Sequence, residues 1–164
     1  IDQVLFARIS TSILVQNPSF ENNLDGWESV NVGTANVDTA YEGNVVATLP
    51  NFGASLAQQI PLTRAAGRCY LLNFALKVSR LAEFGEAALV VKVLWLDRFG
   101  REIGTGLGLV ARGDDSGADT STWLVYAAIT EPAPPGTAAA KIQFTMPSAE
   151  NAALILDHVV FAQL

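Results

Sequence analysis

The sequence predicts an all-β chain folded as two packed antiparallel sheets, and three observations carry that reading. Several runs alternate apolar and polar residues with period two, turn-forming clusters separate them at regular intervals, and no segment sustains a 3.6-residue period. In Tyr70 to Val78 the residues Tyr70, Leu72, Phe74, Leu76 and Val78 form one apolar face, with Leu71, Asn73, Ala75 and Lys77 on the other. In Ala138 to Met146 the core set is Ala138, Ala140, Ile142, Phe144 and Met146, and Lys141, Gln143 and Thr145 point away. In Trp123 to Ile129 the expected core set is Trp123, Val125, Ala127 and Ile129, which leaves Tyr126 outward.

Two further runs are apolar on both faces and are expected to lie centrally in their sheets. Leu89 to Leu96 is interrupted only by Lys92, and Ala152 to Phe161 only by Asp157 and His158. Turns are expected at Asn22 to Gly26, Asp97 to Gly100 and Pro132 to Gly136. Ser79 to Ala88 suggests a short helical turn, and the glycine-rich stretch from Gly100 a strand edge followed by a long loop.

Composition narrows the function. The 164 residues suit a single domain with a substantial core. Half are hydrophobic and 16% charged, too apolar for disorder. A net charge of -6 with 10 Lys and Arg excludes a basic nucleic-acid face and disfavours an anionic membrane surface. No apolar run is long enough to span a bilayer. The chain opens on Ile1, which suggests one piece of a longer protein. Cys69 is the only cysteine, so no internal disulfide forms; it reads as a small buried hydrophobe. One Cys and one His cannot make a zinc site.

Two end motifs resemble those of jelly-roll carbohydrate-binding modules with the galactose-binding-like fold. Asn17-Pro18-Ser19-Phe20-Glu21, followed by Gly26-Trp27, is similar to their opening signature, and Leu154 to Phe161 with Asp157 to their closing strand. Tyr41-Glu42-Gly43-Asn44 and the run from Trp123 to Pro135-Gly136 fall at matching places, although His158 stands where the family has a second Asp. The resemblance implies a single sandwich domain over residues 14 to 164, with 1 to 13 an extension or extra strand. It also implies a non-enzymatic glycan-binding role on an extracellular, cell-surface or spore-surface protein. Trp27 and Trp123 match family positions in the core.

The same resemblance implies a structural calcium held by Glu21 and Asp157, with Glu42 or Asn17 as helpers and carbonyls from the Tyr41 to Asn44 turn. The alternative is that Asp157, costly if buried and unpaired, accepts hydrogen bonds from backbone amides or from His158. Glycan contacts are expected from the outward polar strip of Asn73, Lys77, Lys92, Tyr126, Lys141 and Gln143, helped by the loop aromatics Phe52, Phe84 and Phe99. His158 lacks a nucleophile and an orienting acid around it in sequence, so it reads as a packed or surface histidine. Gly104 to Gly108 lacks the lysine of a phosphate loop, and Arg112-Gly113-Asp114 is short enough to arise by chance. Asp114, Asp115 and Asp119 read as a solvated loop.

A second function competes. The mean hydropathy of +0.30 and the aliphatic second face of Leu89 to Leu96 (Val90, Leu94 and Leu96) suggest a surface needing cover. That cover would come from Ile1 to Ile13 or from another subunit. The subunit is the preferred expectation, giving a homo-oligomeric assembly module that needs no sugar.

Overall fold

A computed structural model describes residues 12–51, 53–80, 88–112, 121–147 and 152–164, with Arg80 described for its backbone only. Within these the regular structure is entirely strand. In chain order the strands are β1 (Glu28–Val30), β2 (Gly33–Asn36), β3 (Val45–Leu49), β4 (Ser55–Pro61), β5 (Tyr70–Arg80), β6 (Ala88–Leu96), β7 (Glu102–Arg112), β8 (Leu124–Ile129), β9 (Ala139–Thr145) and β10 (Ala153–Gln163). They form two antiparallel five-stranded sheets. Sheet I runs β1-β4-β9-β6-β7 and sheet II runs β2-β3-β10-β5-β8.

The core lies between the sheets and follows the predicted alternation of β5, β6 and β9. Tyr70, Leu72, Phe74, Leu76 and Val78 are buried from sheet II, and Leu89, Val91, Val93, Trp95, Ile142 and Phe144 from sheet I. Rings bridge the layers in two chains of contact. Phe20, Trp27, Phe144, Phe74 and Tyr126 touch in that order, and Trp95, Tyr70 and Phe161 form the second. Trp95 imposes a glycine on its neighbour strand, because a Cβ at Gly106 would lie 2.5 Å from the indole. The glycine-rich stretch is therefore edge strand β7; the loop after it lies outside the described residues, as do most of the helical turn expected from Ser79, Phe52, Phe84, and Gly113 to Thr120.

β10 is central in sheet II, between β3 and β5, as its two apolar faces require. Its inward set changes parity midway, from Leu154 and Leu156 to Val159 and Phe161. A bulge makes the change: Asp157 opposes Ala75 and Val160 opposes Asn73, so His158 and Val159 together face Phe74. His158 accordingly has φ of 51°. The N-terminal segment then runs beside this bulged half, with Leu14 N–H donating to Phe161 O and Val159 N–H to Pro18 O, both at 2.8 Å. The opening and closing motifs are thus neighbours.

Three expectations are corrected. In β8 the inward residues are Leu124, Tyr126 and Ala128, while Val125 and Ile129 are half exposed. Both alternating sets of β8 are apolar, so alternation carried no information about which faces the core. The bulk of Trp123 misled because it precedes the first ladder residue and lies half-buried outside the core. Tyr126 instead stacks on Phe74 at 5.2 Å, and its hydroxyl donates to Arg112 O at 3.2 Å. The second face of β6 is less bare than expected: Leu96 is buried, and Val90 and Leu94 are half-buried. Cys69 is half-buried rather than buried.

The β8 register has a direct consequence. Tyr126→Ala should lower unfolding free energy by about 2–4 kcal/mol, whereas Val125→Thr should change it by less than about 0.5 kcal/mol. Denaturant titration of both variants distinguishes this from the opposite parity.

Candidate functional site

Each residue of the opening motif has a local task. The Asn17 side chain staples the turn after it, donating to Asn23 O and Asp25 O and accepting from Asn22 N–H. Phe20 is fully buried against Trp27, whose indole N–H donates to Asn17 O. Gln58, buried on β4, grips the backbone of Gln16, accepting from its N–H at 2.8 Å and donating to its carbonyl at 3.0 Å. The segment is thereby held by both sheets.

Glu21 and Asp157 grip the loop between β2 and β3. Glu21 Oε1 accepts from Asn44 N–H and Val45 N–H, each at 2.8 Å. Gly43 backs onto that carboxylate, and no Cβ would fit there. Asp157 is fully buried, and its Oδ2 accepts from Tyr41 N–H and Glu42 N–H, each at 2.9 Å. Its Oδ1 accepts from His158 N–H at 2.7 Å, a bond that the bulge makes available. Glu42 turns instead to His158 Nδ1. Calcium asks for six to eight converging oxygens; here backbone N–H groups converge on Glu21 Oε1 and on both oxygens of Asp157. Among the described residues no three His, Cys, Asp or Glu side chains gather as metal ligands. As arranged, the carboxylates of Glu21 and Asp157 cap backbone amides, and that of Glu42 meets the His158 ring.

The two carboxylates respond oppositely to their settings. Burial is the largest influence on Asp157 and raises its pKa, against the pull of its three amide bonds; the nearby Glu42 charge raises it further. The amides of Val45 and Asn44 lower that of Glu21. Glu21 therefore adds stability above its ordinary value of 4.5, and that contribution fades as pH falls through the depressed one. Asp157 does the reverse, adding stability on the acid side that is lost as pH rises through its raised value.

The six residues expected to contact glycan do not form one strip. Lys92, Lys141 and Gln143 share the outer face of sheet I, Asn73 and Lys77 lie on the outer face of sheet II, and Tyr126 is inside. Alternation distinguishes in from out but not one sheet from the other. On sheet I, Lys92 stands opposite Gln143, and Val90, Lys92, Gln143, Thr145 and Pro147 line an open groove of about 180 Å³. Beside it Lys141 pairs with Glu28 at 3.0 Å. On sheet II a group that alternation could not indicate surrounds Lys77. Tyr41, Trp123 and His158 meet there, drawn from a loop, a strand approach and a bulge, none of which shows periodicity.

Two outcomes follow for the carboxylate clasp. Chelator should leave the melting temperature unchanged, while Asp157→Ala, which strands three amides, should cost about 3 kcal/mol or more; a chelator-sensitive midpoint would reveal a cation at work. The stability gap between the parent and Glu21→Gln should be constant above pH 4.5 and close as pH falls below it, as read from urea midpoints across pH.

No family model and no curated protein matches the chain. Solved structures do match. The chain is similar to part of the enzymatically active domain of bacteriophage CBA120 tailspike protein 4, with a TM-score of 0.69 at 20% identity over 93% of its length, and spans 21% of that tailspike chain. Against TmCBM61 in complex with β-1,4-galactotriose the TM-score is 0.64 at 15% identity, covering 92% of this chain and 98% of the other. A cyclase from Fischerella sp. TAU gives 0.67 at 14% identity, covering 94% and 97%. Carbohydrate-binding modules of families 4, 16 and 22 match as well. What these proteins share with the chain is architecture: it has the jelly-roll β-sandwich fold of carbohydrate-binding modules, a fold on which a cyclase is also built.

Proposed function

We propose that the chain is a non-catalytic carbohydrate-binding module of a larger extracellular or surface protein, taking glycan in the groove on the outer face of sheet I. The observation that carries this is the placement of Lys92 directly opposite Gln143 in that groove, with Thr145 beside them. An ammonium, a carboxamide and a hydroxyl offer donors and acceptors to sugar hydroxyls. Val90 and Pro147 supply the apolar lining. The fold shared with TmCBM61 and other carbohydrate-binding modules supports the same reading.

A second reading, assembly through strand pairing, is favoured by β8. It is the edge of sheet II, and Val125, Ala127 and Ile129 are exposed along it. Open apolar edges invite a further strand.

Screening on a glycan array should find a ligand for the parent chain, with affinity reduced at least tenfold in the Lys92→Ala, Gln143→Ala double variant and the melting temperature unaltered. Undiminished binding by that variant would remove the groove from the account. For assembly, light scattering should give a mass above 17.4 kDa at high concentration that Val125→Lys and Ile129→Lys restore to the monomer value; a monomer at every concentration rejects that reading.

A further inference from the structure

The geometry points to a second sugar site on the opposite face of the sandwich, built from Tyr41, Trp123, Lys77 and Glu42 and suited to a neutral pyranose. This inference rests on the carbohydrate-binding reading above but uses none of the groove residues. Tyr41 stands between two other rings, 6.0 Å from Trp123 in an edge arrangement and 5.4 Å from His158, and remains 44% exposed. The Trp123 indole N–H donates to Thr39 O at 2.8 Å, and Lys77 Nζ lies 5.7 Å from the Trp123 ring centre. Glu42 closes the other side through its contact with His158.

The base under these rings is rigid. Tyr41 and Glu42 both donate their N–H groups to buried Asp157, and Val37 N–H donates to Asn44 O across the loop. The exposed ring is therefore held in place before any ligand arrives, so little ordering cost falls on binding. An exposed aromatic surface rimmed by a few polar groups matches a pyranose, which has an apolar C–H face and a belt of hydroxyls. Lys77 can donate to that belt and Glu42 can accept from it. Their charges oppose one another, which favours a neutral sugar over a uronate or a phosphosugar. Tyr41 comes from the loop, Lys77 from β5 and Trp123 from the approach to β8, so the site belongs to sheet II and is separated from the groove by the whole core.

Heteronuclear NMR titration of the full chain with neutral oligosaccharides of galactose, glucose and xylose tests the inference. Trp27 and Trp95 are buried, so their indole N–H signals serve as references while that of Trp123 reports on the new site. The Lys92 amide and Gln143 side-chain signals report on the groove. A saturable shift of the Trp123 signal with at least one sugar, weakened at least tenfold in Tyr41→Ala, is the expected result. That variant keeps the Tyr41 N–H bond to Asp157 and so keeps the loop. Movement at the groove with a static Trp123 signal overturns this inference and leaves the groove reading standing. Movement at neither place with any of the sugars overturns both.

Discussion

Asp157 is a carboxylate with no exposure to solvent, set in a strand whose other residues are almost all apolar. A charge in such a place is tolerable only if hydrogen-bond donors surround it, and that requirement organises one end of the sandwich. The bulge at His158 brings one amide to the carboxylate, and the loop between β2 and β3 brings two more. Glu21 takes the amides of Asn44, the loop's last residue, and Val45, the first of β3, from the side of the opening motif. The opening and closing motifs are therefore joined to this connection and the start of β3 by four amide bonds to two carboxylates, and a fifth, from His158, stays within β10. Tyr41 and Glu42 stand on the surface where they do because their own amides are anchored beneath them.

The same arrangement explains why the opening and closing motifs occur together. Phe20 fills the core, and its neighbour Glu21 reaches outward to the loop; Leu156 fills the core, and its neighbour Asp157 reaches the loop from the other side. Each motif couples a buried apolar residue to an acid that caps free amides. At Glu21 the capping amides outweigh burial and lower the carboxylate's pKa, whereas at Asp157 burial outweighs its three amides.

Much of the fold was legible in the sequence, for reasons that individual strands make plain. In β9, and in β5 apart from Leu71, small or polar residues separate large apolar ones, which marks the inward face, and every expected core residue from Tyr70 to Val78 is buried. β8 gave no such contrast, and its faces were read the wrong way round. The site was less legible because it depends on which strands share a sheet. Asn73 and Lys92 both point outward, yet from opposite faces of the molecule. Gln58 and Gln59 are adjacent identical residues, one buried as a backbone clamp and the other exposed, and nothing local marks which is which. Tyr41, Trp123 and His158 lie on irregular backbone, where periodicity carries no signal. Since one sandwich can carry sugar sites, assembly edges or enzyme chemistry, these surface details determine function and the core does not.

Buried Asp157 holds the loop by its amides, and native-state hydrogen exchange measures this most directly. The N–H groups of Tyr41 and Glu42, though they lie in a loop, should exchange as slowly as the β10 amides, through openings that unfold that sheet. Exchange of these two amides at the rate of exposed loop positions, with β10 still protected, would contradict it.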